Sequence, residues 1–174
     1  MNLKIGRQFH SEGIYIARRK FLDMRGNCLG DYYFFAAPNN LEGSRTFVDT
    51  TNCISGLINW NGHDGFKVKN PRDYSREFVA GLNDGSAEGK WSIPMIEDAK
   101  RLYSLRNTGE FRDTFQINGP AYIRWLWSVS FPSHQSGVKI VDFSDGLEDW
   151  DYNITFRASC RPVRMIEVNH FRCH

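Results

Sequence analysis

The sequence predicts an α+β domain made of short strands, a few helices and structured loops. Aromatic residues make up 14% of the chain and it contains 15 glycines, a composition typical of strands joined by turns. Stretches with helical spacing are few and short. A length of 174 residues suits one domain with a sizeable core. No linker composition interrupts the chain, so we predict a single domain over residues 1–174.

The N-terminal part of the chain carries the first two predicted strands. Residues 13–17 are rich in β-branched and aromatic side chains, and residues 31–38 repeat that composition before ending at a proline. Gly26 and Gly30 lie between them and supply turn chemistry. The pattern predicts a β-hairpin over residues 13–38 that belongs to the same domain.

Two helices are predicted in the middle of the chain. Apolar residues at helical spacing follow Thr46, and either Thr46 or Ser44 supplies a hydroxyl for the N-cap. The second helix is short and spans residues 73–82, where aromatic or apolar side chains recur every four residues.

A further helix is predicted over residues 94–105. Ser92 is the expected cap, and Pro94 suits a first helical turn. Glu97 and Asp98 then lie near the positive end of the helix dipole. Five residues form its apolar face: Ile96, Ala99, Leu102, Tyr103 and Leu105.

The last third of the chain returns to strands. They are predicted over residues 123–129, 137–143 and 156–163, and the residues after Arg164 either add one more strand or pack along an edge. The acidic, polar residues 144–153 predict a loop. Three tryptophans lie in apolar elements and are assigned to the core: Trp91, Trp125 and Trp127.

Charge and hydropathy exclude several classes of partner. The net charge is +2, and the basic run at residues 18–20 is too short for a nucleic-acid footprint, so we interpret it as a solvated strand end. No apolar stretch reaches the roughly 18 residues of a membrane span, so we expect no membrane insertion. The N-terminus shows no signal-peptide pattern, so we expect cytoplasmic synthesis, with association to a surface or a particle left open.

Several short motifs follow one another between residues 90 and 164. In chain order they are Trp91-Ser92-Ile93-Pro94, Glu97, Leu102-Tyr103, Phe111 and Phe115, Trp127-Ser128, Val141-Asp142-Phe143-Ser144-Asp145-Gly146, Arg157-Ala158-Ser159 and Val163-Arg164. This succession resembles the Lcl C-terminal domain family. The chain departs from the family pattern at four positions, Ser92, Met95, Val129 and Pro162, where arginine, threonine, serine and cysteine are usual.

The resemblance implies a C-type lectin-like fold, in which two main helices flank a twisted, mostly antiparallel sheet with long loops. Related folds occur in formylglycine-generating enzymes and in retroelement-diversified variable proteins. By analogy with animal lectins, Cys53 and Cys160 occupy places where a disulfide forms. Reduced, partly buried thiols are the alternative, because none of the four cysteines has metal-type spacing.

The function that this resemblance favours is noncatalytic recognition of a surface glycan or a protein, with a homo-oligomer left open. Two alternatives remain, a retroelement-diversified or phage receptor-binding protein and a formylglycine-generating-type oxidase that would use Cys160 and Cys173. We expect no nucleic-acid partner and no catalytic residues.

The predicted ligand-binding face combines two segments of the C-terminal third. Aromatic and polar side chains there suit stacking and directional hydrogen bonds. The candidate residues are Phe131, Ser133, His134, Gln135, Asp149, Trp150, Tyr152 and Asn153. We predict no cofactor, although the carboxylates of Glu148, Asp149, Asp151, Asp142 and Asp145 leave calcium as an option.

Overall fold

The computed structural model describes residues 3–9, 12–22, 25–41, 43–55, 89–128, 138–151 and 155–171. Within them the chain forms an α+β fold. The elements, in chain order, are β1 (Gln8–Phe9), β2 (Gly13–Leu22), β3 (Cys28–Ala36), α1 (Phe47–Ser55), α2 (Ile96–Leu105), a 3₁₀ turn (Gly109–Phe111), α3 (Ala121–Arg124), β4 (Trp125–Trp127), β5 (Val138–Asp142), β6 (Glu148–Asp151), β7 (Val163–Glu167) and α4 (Val168–Phe171).

The strands in the described part of the chain form two antiparallel sheets. The larger sheet has the order β1-β2-β3-β7, and the smaller one has the order β4-β5-β6. A bridge between Leu126 and Ser159 ties β4 to the chain that enters β7. At the outer edge of β7, Ser92 pairs with Val163 in both directions, at 2.7 and 2.9 Å. The two sheets are therefore joined through the segment on either side of residue 160.

The predicted N-terminal hairpin is confirmed, and both strands are longer than the sequence indicated. Gly26 lies between the strands as predicted, but Gly30 does not, because it belongs to β3 and pairs with Phe21. β2 and β3 pair antiparallel from Ile14 opposite Ala36 to Leu22 opposite Cys28. Their inward-facing residues enter the main core, which also holds residues from the helices and from the smaller sheet. The members from the hairpin include Ile14, Ile16, Tyr32 and Phe34.

Helix α1 begins as predicted, with Thr46 as its cap. The Thr46 hydroxyl accepts a hydrogen bond from the Asp49 backbone N–H at 3.2 Å and donates to the Asp49 carboxylate at 2.6 Å. Phe47 is fully buried and packs edge-on against Trp127 at 5.7 Å between ring centroids. The predicted helix over residues 73–82 lies outside the described residues.

The prediction for the start of α2 was wrong by two residues. The helix begins at Ile96, and Met95 occupies the N-cap without a side-chain cap bond. Ser92 does not cap, because its backbone and hydroxyl bond to Val163. Pro94 lies before the helix. The apolar face and the end at Leu105 are confirmed.

Two of the three strands predicted in the C-terminal third differ from the structure. The region predicted as one strand over residues 123–129 begins as the short helix α3 and becomes β4 only at Trp125. The strand predicted over residues 156–163 is instead irregular, with single bridges at Ala158 and Ser159. The further strand that was one option for the residues after Arg164 is confirmed as β7, which begins at Val163 and pairs with β3. The strand predicted over residues 137–143 is confirmed as β5.

Trp91 and Trp127 belong to the core as predicted, being 1% and 0% exposed. The assignment of Trp125 to the core was wrong in part. Its ring packs against the core but stays partly exposed, since it stands at the first residue of β4, where the smaller sheet ends.

The basic run at residues 18–20 is not a simple solvated strand end. Arg18 and Lys20 are exposed, but Arg19 lies on the opposite face of β2 and pairs with Asp98 at the start of α2. The Asp98 side chain is wholly buried, and the Arg19 guanidinium also stacks over Phe34 at 4.9 Å. This ion pair joins the hairpin to the helix.

Asp98 makes stability depend on pH in mildly acidic solution. Burial raises the pKa of Asp98 to about 6, and the opposing attraction of Arg19 does not offset this. Because the folded protein holds this proton more tightly than the unfolded chain, the contribution is fully present below about pH 4. It is lost as the pH rises to about 6. The unfolding free energy of the wild type should therefore fall by about 2–3 kcal/mol across this range, and that of Asp98→Asn should not show this fall.

Urea unfolding at half-unit steps from pH 4 to 7 measures this effect. Asp145→Asn is the matched control, because Asp145 is exposed and an asparagine oxygen can still accept from the Leu147 N–H. A pH profile of Asp98→Asn that runs parallel to that of the wild type would show that Asp98 does not titrate in this range.

Candidate functional site

The structure describes two of the eight predicted ligand-binding residues. Asp149 and Trp150 lie in β6, which pairs with β5, so the prediction of a loop over residues 144–153 was wrong for residues 148–151. A strand forms there because the edge of β5 offers unpaired backbone groups that β6 satisfies. Six candidate residues lie outside the described residues: Phe131, Ser133, His134, Gln135, Tyr152 and Asn153.

The register of the smaller sheet places the ends of both candidate segments together. Trp127 of β4 pairs with Ile140, so the chain that follows β4 leaves at the end where β5 begins. Val138, the first residue of β5, pairs directly with Asp151, the last residue of β6. Residues 129–137 and the residues after Asp151 are therefore attached to the same end of one sheet, which we call the binding end.

Buried hydrogen bonds fix the backbone next to the binding end. Ser128 is fully buried, and both its N–H and its hydroxyl donate to the Lys139 carbonyl, at 3.0 and 2.8 Å. The Trp127 N–H donates to the Ser159 carbonyl at 2.9 Å. These bonds tie β4 to β5 on one side and to the segment before β7 on the other.

Glu148 and Asp149, the two acidic residues of β6 whose side chains the structure describes, lie on opposite faces of the strand. Glu148 pairs with Lys100 and with Lys139, both at 3.3 Å. Burial alone would raise the pKa of Glu148, but the bonds from these two lysines lower it overall. Neighbouring residues of a strand point to opposite faces, so Asp149 does not add to this pair. In the part of the chain that the structure describes, no group of three or more metal-ligating side chains comes together.

Asp142 organises the opposite end of the smaller sheet. One carboxylate oxygen accepts from the Ser144 N–H and hydroxyl, at 2.8 and 2.7 Å. The other accepts from Arg124 Nη2 at 3.0 Å and from Trp125 Nε1 at 3.1 Å. Partial burial acts to raise the pKa of Asp142, but these bonds outweigh it and lower the pKa overall.

The turn after Asp142 also depends on a glycine. Gly146 has a φ of +82°, and a Cβ atom there would overlap the ring of Tyr103 on α2. Tyr103 packs edge-on against Phe143 at 5.6 Å, so the turn is held against the helix. We call the unit formed by Asp142, Ser144, Gly146 and their partners the Asp142 corner.

Partly exposed aromatic residues surround the Asp142 corner, and sequence reasoning missed them as a group. Trp125 is held by its bond to Asp142, and the Phe156 ring lies 5.6 Å from it at an angle of 38°. Tyr122 lies in α3, and Trp125 is the C-cap residue of that helix, with its backbone N–H bonded to the Ala121 carbonyl, so the two side chains start from positions three residues apart at helical spacing. Tyr122 and Phe156 are 46% and 45% exposed. We call these three residues the aromatic patch.

The three cysteines that the structure describes, Cys28, Cys53 and Cys160, are free thiols. The Cys53–Cys160 disulfide that the resemblance implied is therefore not formed. Cys160 is fully buried, and burial raises its pKa, with Cys53 close enough to raise it further. Cys160 is consequently held as a neutral thiol.

No protein-family model matches this chain, and a search of curated proteins finds none that matches its sequence. Among the described residues, no helix combines the length and the hydropathy that crossing a bilayer requires.

Proposed function

We propose that the chain is a noncatalytic ligand-recognition domain of C-type lectin-like fold. Its binding face would stand at the binding end of the smaller sheet and would take a surface glycan or a protein. The observation that supports this most is the pairing of Val138 with Asp151, because it attaches both candidate segments to one end of the same sheet. The α+β architecture with antiparallel sheets agrees with the proposed fold.

The way the domain is braced also favours recognition. A face that is ordered before it meets its ligand loses less conformational entropy on binding. Ser128 and Trp127 anchor the backbone beside the binding end through buried bonds. Further away, the buried Arg164 joins β7 to the Glu12 carbonyl at 2.9 Å and to its carboxylate. The scaffold is thus held by side chains that span distant parts of the chain.

Cys160 gives the oxidase alternative no support. A thiolate is the reactive form of cysteine, and reactive thiolates lie in partly exposed, electropositive surroundings. Cys160 is fully buried and its pKa is raised. A copper or redox role for this thiol would require the core around it to open.

A double substitution tests the proposed face. Trp150→Ala combined with Tyr152→Ala is expected to weaken retention of at least one ligand more than tenfold on glycan and cell-surface protein arrays, because aromatic side chains supply much of the energy of such contacts. Leu147→Ala is the matched control, since Leu147 is exposed and lies just before β6, at the other end of the sheet. A folded double variant that retains every ligand of the wild type would contradict the proposal.

A further inference from the structure

We infer that the aromatic patch, Tyr122, Trp125 and Phe156, together with Arg124, is a second binding site that takes a neutral saccharide. This site goes beyond the proposed face, because it stands at the opposite end of the smaller sheet. Trp125 pairs with Asp142 at the last residue of β5, whereas the proposed face begins beside Val138 at its first residue. At about 3.4 Å per residue, the two ends are roughly 13 Å apart.

The central ring of the patch, Trp125, is held in place although it is partly exposed. The Trp125 indole is oriented by its bond to Asp142, which in turn accepts from Ser144 in the turn and from Arg124. Phe156 lies against Trp125 with a tilt of 38° between the rings. An aromatic ring that a partly buried carboxylate fixes in place can receive a ligand with little loss of entropy.

The size of the patch favours a small ligand over a protein partner. Aromatic side chains offer about 150–250 Å² each, so the exposed parts of the three rings come to roughly 250 Å². A stable protein interface covers about 800 Å² on each partner. The three rings together cover much less than such an interface, which favours a small ligand such as a saccharide.

The charge at the patch favours a neutral ligand. Arg124 forms an ion pair with Asp142 at 3.0 Å, so its charge is already balanced. Single-stranded nucleic acid also stacks on aromatic rings, but such sites add a positively charged groove for the phosphates. A saccharide suits both features, because the C–H face of a sugar ring packs on an aromatic ring and its hydroxyls can accept from a guanidinium. Arg124 is 29% exposed and can supply that donor.

Phe156→Ala tests the site, since an exposed side chain can be removed without opening the core. The wild-type chain is probed on a printed array of neutral oligosaccharides of glucose, galactose, mannose and N-acetylglucosamine, followed by calorimetric titration with each one retained. We expect Phe156→Ala to bind at least tenfold more weakly than the wild type, a loss of about 1.4 kcal/mol in binding free energy. Phe156→Tyr keeps an aromatic ring, so we expect it to bind within about threefold of the wild type. Leu22→Ala, which removes an exposed side chain from the other sheet, should bind as the wild type does.

Three results would overturn the inference. The first is that the wild type retains none of these oligosaccharides. The second is that Phe156→Ala binds them as tightly as the wild type does. The third is a dimer in sedimentation that Phe156→Ala dissociates, which would make the patch a contact between copies of this chain. The double variant at Trp150 and Tyr152 separates the two sites, because it should keep the oligosaccharides that the patch binds. If the double variant loses these oligosaccharides and Phe156→Ala keeps them, the inference of a second site is contradicted and the proposed face is supported.

Discussion

Arg161→Met is expected to lower the free energy of unfolding by about 3–5 kcal/mol, the largest loss from any single substitution considered. The Arg161 guanidinium is fully buried and all five of its N–H groups are used. Nε donates to Asn40 at 2.7 Å, Nη1 to the carbonyls of Ala37 at 3.0 Å and of Pro38, and Nη2 to the carbonyl and hydroxyl of Thr114 at 2.8 and 3.0 Å.

The expected loss comes from the acceptors that would remain. Methionine fills much of the same volume, but it leaves the carbonyls of Ala37, Pro38 and Thr114 without this donor inside the protein. Those carbonyls follow β3 or lie beyond the 3₁₀ turn, so Arg161 joins three distant segments. Burial lowers the pKa of Arg161 to about 9, so the group stays charged at neutral pH, and its stacking over Phe115 at 4.0 Å adds a further contact.

Urea unfolding at pH 7 measures this effect, with Arg157→Met as the control because Arg157 is exposed. Arg161→Lys should recover less than half of the loss, since an ammonium group cannot reproduce the planar fork of five donors. If Arg161→Lys unfolds with the free energy of the wild type, the positive charge alone would suffice, and the hydrogen-bonded fork would not explain the stability.

Asp142→Ala is expected to cost about 2–4 kcal/mol, the second largest loss. Four donors converge on this carboxylate, two from Ser144 and one each from Arg124 and Trp125. Because these bonds lower the pKa of Asp142, its contribution is present above the ordinary carboxyl pKa and is lost as the pH falls through the lowered value.

Thermal unfolding at pH 7 and pH 3 checks both parts of this prediction. Asp142→Asn should lose nearly as much as Asp142→Ala, because its amide places a donor against the donors of Arg124 and Trp125 or of Ser144. Glu97→Ala serves as the control, since Glu97 is exposed on α2. Equal stability of Asp142→Asn and the wild type would mean that the charge-assisted bonds are not needed at the corner.

The elements that could be predicted from the sequence are those with a local signal. The hairpin follows from β-branched and aromatic runs that flank glycines, and α1 follows from apolar spacing after the Thr46 cap. β5 is a short apolar strand and lies within its predicted range. In each case the residues that determine the element are neighbours in the chain.

The elements that could not be predicted depend on partners far away in the chain. β7 forms over residues 163–167 because β3 offers its edge there. Pro162 is the local feature that argues against a regular strand over residues 156–163, but it does not show where the paired strand begins. β6 exists because it pairs with β5, although its acidic sequence is typical of a loop.

The burial of three charged side chains also could not be predicted from the sequence. The side chains of Asp98, Arg161 and Arg164 are each at most 1% exposed. Because charged residues usually lie at the surface, the sequence alone predicts that these three are exposed to solvent. Trp125 was misplaced for the opposite reason, because an apolar neighbourhood in sequence suggested a core residue. Its role at the surface depends on Asp142, 17 residues later.

The pairing that gathers the candidate segments at the binding end can be measured directly by NMR. In a ¹³C,¹⁵N-labelled sample, we expect cross-strand NOEs between Val138 and Asp151 and between Lys139 and Trp150, the pairs of the antiparallel register. A parallel pattern, in which Val138 would face Glu148 and Val141 would face Asp151, would attach residues 129–137 and the residues after Asp151 to different ends of the sheet and would contradict the proposed face.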